Sequence, residues 1–319
     1  MHNQPTRKRA YGRSTRARRP LIEITPGAIM PTSTATPPQR TSPEPSPSPE
    51  PVYSGPSLVR DGEILARGLP IGRFIERHDY IDTLFVQLQA RRPTPSERAM
   101  LDAYLVSLCE HGVTSPSTHG PRVTASVRAP FGATAVSFIA TAMGPYHFGA
   151  LERTMHTLLE LDQSGEDIAK YADRKAVDGQ RIWGFGHRFH KSTGEPDPDR
   201  PAQEDADPRV RHLIRFADEL GWRGRHLRRV RELGRVLHAR KRIPINIDGV
   251  AAGLLLDMGF DPETALLFVI IGRLPNIARL HAEEQHEPSN RFTALATRED
   301  PGFNRTIDRD QHPAREMSS

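Results

Sequence analysis

The run Gly184-Phe185-Gly186-His187-Arg188-Phe189-His190-Lys191 sets a histidine between glycine-rich backbone and cations, and Pro244-Ile245-Asn246-Ile247-Asp248-Gly249 sets a carboxylate at the head of an apolar stretch. Carbon-acid chemistry needs such groups: a general base for the proton, a donor where negative charge develops on oxygen, and cations for an anionic partner. The apolar residues 250–256 after Asp248 withdraw solvent from its ionised form and so raise its proton affinity. Spacing alone favours a plainer role, because Asn and Asp are also preferred helix N-caps. At His187 the glycines allow close approach of a ligand and the neighbouring cations disfavour the imidazolium, which points to a neutral donor; a solvated basic loop is the alternative. His187 with His190 also suggests zinc, but no third ligand stands at a helical or Cys-x-x-Cys spacing, so no metal is expected.

Other candidates are scattered. His147, in Gly144-Pro145-Tyr146-His147-Phe148-Gly149, suits either a hydrogen-bond donor or a cap for the preceding helix. His111 and His119 flank a Gly- and Pro-containing stretch, where helix-end histidines are usually structural. Arg209, in Asp207-Pro208-Arg209, and Arg273, in Ile271-Gly272-Arg273-Leu274-Pro275, offer the planar fork that grips a carboxylate in two places.

The order GFGHR, Asp-Pro-Arg, then NIDG resembles the citrate synthase and citryl-CoA lyase family, and the resemblance runs from about Gly68 to Arg291. It implies a mostly α citrate-synthase-like helical fold with a large and a small lobe. It implies that Asp248 removes the α-proton of acetyl-CoA, or plays the matching part in cleavage, and that His147 donates to the thioester oxygen. His187 would polarise the ketone or hydroxyl of the oxaloacetate or citrate moiety, with Arg188 beside it as a further substrate-binding cation. His111 matches an oxaloacetate ligand. His119 matches an active-site histidine of the citrate-synthase-like module of ATP-citrate lyase. Arg209 and Arg273 would clamp carboxylates, and Arg291 would enter the neighbouring site of a homodimer. CoA is then a substrate, with no cofactor bound permanently. Two features depart from the family pattern: Phe148 stands where a small residue is common, and 192–206 inserts a polar stretch before Asp207. The short core and the Asp-Met-Gly-Phe run after NIDG look closer to citryl-CoA lyase and the ATP-citrate lyase module than to longer citrate synthases. A non-catalytic CoA-binding or regulatory protein on the same fold is the competing reading.

The elements that must hold these groups read as helices. Apolar residues recur at helical spacing in 80–88, in a segment opened by Pro95-Ser96 and closed at His111-Gly112, and in 133–142, 151–161, 209–220, 224–237, 250–258 and 262–271. Residues 64–68 and 71–74 read as a compact loop or small strand pair. Only 36% of the 319 residues are hydrophobic, and the deficit lies in 1–57, which is Arg-rich and then Pro/Ser-rich. That arm is expected to be disordered, since it buries too little apolar surface to offset chain entropy. A catalytic domain is expected over 58–297 and a polar tail over 298–319. Cys109 is the only cysteine, which excludes an intramolecular disulfide and fits a reducing, cytoplasmic setting. The apolar run 265–271 is far short of the roughly 20 residues a membrane span requires, and reads as a buried helix. A net charge of +5 invites nucleic acid, but no aromatic residues except Tyr11 interleave the N-terminal arginines and no nucleic-acid-binding signature follows.

Overall fold

A helix needs one face that can be buried, and the period read from the sequence supplies that face along most of the chain. The computed structural model describes residues 53–112, 115–187, 190 and 201–287; the N-terminal arm to residue 52 and the tail lie outside the described residues. The described chain opens with a three-stranded antiparallel sheet, β1 (Leu58–Arg60), β2 (Glu63–Ala66) and β3 (Leu69–Pro70), in the order β1-β2-β3. Helices follow: α1 (Ile71–Arg77), α2 (Tyr80–Gln89), α3 (Pro95–Ser107), α4 (Pro116–Ser126), α5 (Phe131–Ala142), α6 (Gly149–Ser164) and α7 (Ile168–Val177). Then come α8 (Ala202–Asp205), α9 (Pro208–Glu219), α10 (Arg225–Lys241), α11 (Ile247–Asp257) and, after a 3-10 turn, α12 (Ala265–His286). The mostly α expectation holds.

Four local expectations are corrected. Residues 71–74 open helix α1 rather than a strand. Helix α3 starts at Pro95, as the Pro95-Ser96 signal indicated, with Thr94 and Glu97 forming a capping box that satisfies two orphan donors. It ends at Ser107, so His111 lies beyond the helix in the connection to α4. Helices α4 and α7 were not expected. The first contains Gly120 and Pro121 and has little intrinsic preference for helix, but α5 packs along it, with Gly120 against Thr141 and Ser137. Helix α12 continues past Ile271 to His286, through Pro275. By length and composition Pro262–His286 passes as a membrane span. Its midpoint, however, carries the buried Arg273 and Asn276, and it packs against α3, α4, α5 and α6.

One apolar cluster ties these helices together, from Leu84 and Phe85 of α2 through Leu151, Met155 and Leu158 of α6 to Leu254 and Leu255 of α11 and Phe268 of α12. A smaller cluster of Tyr53, Ala66, Phe74 and Val86 anchors the small sheet. Helix α11 packs between α6 and α10, which delivers its N-terminus to the candidate site.

Candidate active site

The two motifs noted first are stitched together by backbone. Phe185 and Ile245 form an isolated antiparallel bridge, the Gly186 amide donates to the Pro244 carbonyl at 2.7 Å, and the Asn246 amide donates to the Gly184 carbonyl at 3.1 Å. The Asn246 side-chain amide adds a bond to the Gly186 carbonyl at 2.9 Å. Gly184 and Gly186 have φ of +87° and +77°, a region costly for residues with a Cβ. A Cβ on Gly249 would lie 2.4 Å from the Gly184 carbonyl oxygen, so the glycines also permit the close approach itself.

Asn246 is the N-cap of α11, its side chain accepting from the Gly249 amide at 3.1 Å. That settles the alternative for Asp248: its carboxylate is not the cap and lines a cavity of about 520 Å³. Loss of hydration raises its pKa to about 7, against the opposing pull of Arg209 and Arg181. Desolvation therefore outweighs both the cations and the helix N-terminus.

The same cavity is lined by His111, His147, His187, Arg209 and Arg273, which brings together six of the nine residues picked from the sequence. Arg188 and Arg291 lie outside the described residues, and with Arg291 goes the expectation of a shared site. His119 does not join them: it is exposed on the first turn of α4, where helical rotation buries Ser117 and Thr118 instead.

His147 Nε2 and Ser117 Oγ are 2.7 Å apart, and Ser117 is fully buried. His111 Nε2 lies 2.5 Å from Ser115 Oγ and 3.2 Å from Ser117 Oγ. Burial and the Arg273 charge lower His147 to about 4 and His111 to about 3, so both are neutral at physiological pH. His187 Nδ1 accepts from the His190 amide at 3.1 Å, so in the neutral ring the proton sits on Nε2.

Arg273 is 1% exposed. Its Nε donates to the Leu108 carbonyl, one terminal nitrogen has no partner, and it has no acidic partner among the described residues. Burial and the repulsion of Arg209 lower its pKa to about 10. A buried cation that lines a cavity and has no acidic partner among the described residues calls for an anion. Arg209 is differently held: Asp207, the N-cap of α9, pairs with it through both carboxylate oxygens, at 2.7 and 3.1 Å. Asp207 also comes within ligand reach of His187 and His190, the third ligand that spacing did not reveal. With both its oxygens engaged by Arg209, the trio fits an ion pair beside two imidazoles better than a metal centre.

Four polar or aromatic lining residues escaped the reading of the sequence. Tyr104 of α3 reads as an ordinary core position. Tyr146, Arg181 and Trp183 form a stacked group at the rim, with the Arg181 guanidinium 4.7 Å from the Trp183 ring centre and 5.9 Å from that of Tyr146. Tyr146 is 82% exposed, an aromatic surface left open.

Comparison with known proteins bears on this geometry. The family model described as "Citrate synthase, C-terminal domain" matches residues 61–292. Citrate synthase of Synechocystis sp. is 34% identical over 116 residues, which is 36% of this chain and 29% of that protein. Putative citrate synthase 2 of Mycobacterium tuberculosis is 31% identical over 150 residues, 47% of this chain and 36% of that one. The matches thus span about a third of the length of these curated relatives. The structure of citryl-CoA lyase from Hydrogenobacter thermophilus superposes with a TM-score of 0.67 at 25% identity, covering 77% of this chain and 91% of that one.

Proposed function

The chain belongs to the citrate synthase family, and from that premise we propose that it makes or breaks the carbon–carbon bond between acetyl-CoA and oxaloacetate, through citryl-CoA. The observation that carries this reading is the juxtaposition, in one cavity, of a carboxylate with proton affinity near neutrality and a buried arginine that lacks an anion. In the condensing direction Asp248 takes a proton from the acetyl methyl group, and the enolate oxygen accepts a hydrogen bond from neutral His147. Ser117 orients that imidazole through Nε2, leaving Nδ1 as the nitrogen for the substrate. The new carbanion attacks the ketone carbon of oxaloacetate, whose oxygen is polarised by His187 and takes the proton of its Nε2 to become the hydroxyl of citryl-CoA. Arg273 and Arg209 hold the carboxylates. Cleavage runs the same steps backwards, since both directions share a transition state. The Tyr146, Arg181 and Trp183 rim suits the aromatic, anionic nucleotide end of CoA.

Arg273→Lys tests the anion-binding half. It keeps the charge and loses the planar fork, so calorimetry should show oxaloacetate affinity reduced about tenfold or more, as for loss of a charge-assisted hydrogen bond. Unchanged affinity removes Arg273 from the site and this reading with it.

A further inference from the structure

Tyr104 lies on α3 with 1% of its surface exposed, yet it lines the cavity that holds Asp248, Arg209 and Arg273. Buried tyrosines ordinarily find a hydrogen-bond partner for the hydroxyl. Here the only hydrogen bond involving Tyr104 outside its helix ladder is made by its backbone carbonyl, which accepts from Ser107 Oγ at 2.7 Å; the phenolic oxygen has no partner among the described residues. Nor is that oxygen sealed away without a partner, as one terminal nitrogen of Arg273 is, so it opens on the cavity. Three charges act on it: Asp248 favours the protonated phenol, while Arg273 and Arg209 oppose it.

From this placement we propose that the Tyr104 hydroxyl is a ligand-binding donor that completes the carboxylate clamp of Arg209 and Arg273, reading a carboxylate of the oxoacid. The inference rests on the functional reading above. A carboxylate offers about four acceptor positions, and a two-pronged guanidinium contact uses two of them. A phenol beside the two arginines supplies a further donor at the place where the ligand's negative charge has to sit. Burial and the Asp248 charge both raise the phenol's pKa, so it stays protonated and donates across the working pH range. A fixed phenol adds a third donor direction to those of the arginines, which the ligand's carboxylate has to meet in position. Tyr104 is thus a specificity residue for the oxoacid half-site, and acetyl-CoA is recognised without it.

Tyr104→Phe removes one oxygen and keeps the ring that packs in the core. Oxaloacetate and citrate dissociation constants, measured by calorimetry on the full chain, are expected to rise about tenfold or more, as for a hydrogen bond to a charged group. KM for acetyl-CoA should stay within about twofold, the uncertainty of ordinary kinetic comparisons. A second readout uses the wild-type protein, in case the variant folds poorly: on titration with citrate, the tyrosine Raman doublet should move toward the hydrogen-bond-donor pattern. Wild-type binding of oxaloacetate with an equal affinity in the variant overturns the role of Tyr104 and leaves the functional reading intact. A variant that shifts the pH profile of Asp248 without changing oxoacid affinity also overturns it, since the phenol then serves the base. Failure of the wild-type protein to bind any of these carboxylates defeats both proposals.

Discussion

A carboxylate stripped of water is a better base and a worse contributor to folding, and Asp248 carries both consequences. Its pKa of about 7 predicts that turnover in the condensing direction rises with pH and levels off above an apparent pKa near 7, because only the ionised form accepts the proton. For stability the sign is opposite. The unfolded carboxyl ionises near its ordinary value of 3.8 while the folded one holds its proton to about 7, so the stabilising share of the protonated form is complete below the lower value and is lost as pH rises through the higher. Asp248→Asn, which cannot ionise, should therefore gain in melting temperature over the wild type between pH 5 and pH 8 while losing turnover. A constant difference across that range contradicts a desolvated carboxylate. The histidines behave consistently: His147 and His111 are held neutral, as oxygen donors should be, by burial and by Arg273.

At the level of elements, legibility followed how local the cause was. The cap and period of α2, α5, α6, α9, α10 and α11 lie within each segment, and those helices were read with boundaries off by a few residues. Helix α4 was invisible because its stability comes from α5 and α12 packing on it, and that loss hid Ser117, the partner of His147. His119 was misassigned for the same reason, since which side of α4 faces inward depends on that packing. Tyr104 and the Asp207 cluster needed the tertiary fold: nothing in their spacing says which cavity they meet. The contact between the GFGH loop and α11 was legible only as two motifs, whereas the structure shows why both contain glycine. Gly249→Ala would drive a methyl group into the Gly184 carbonyl, which is backbone and cannot swing aside, and against the Ile245 side chain. A loss of about 1–3 kcal/mol is expected in chemical denaturation, typical of overpacking, together with a fall in activity as Asp248 and His187 move apart. Wild-type stability in this variant contradicts the close approach.

For the molecule as a whole, helices from distant parts of the chain converge on one cavity: α3 brings Tyr104, α9 Arg209, α11 Asp248 and α12 Arg273, while the loops after α3, α5 and α7 bring the three histidines. Such a convergence places a carboxylate, three imidazoles and two guanidinium groups around a common centre, the arrangement that the proposed transfer of a proton and a carbon–carbon bond requires. The chain matches about a third of the length of its curated relatives and 91% of the citryl-CoA lyase structure. The most direct test is to supply citryl-CoA to the purified chain and follow acetyl-CoA and oxaloacetate. Both products should form in equal amounts, and Asp248→Asn should slow their formation by about a hundredfold or more, the usual worth of a general acid–base group. Citryl-CoA that binds and remains unchanged, or is cleaved equally well by Asp248→Asn, contradicts the proposed reaction.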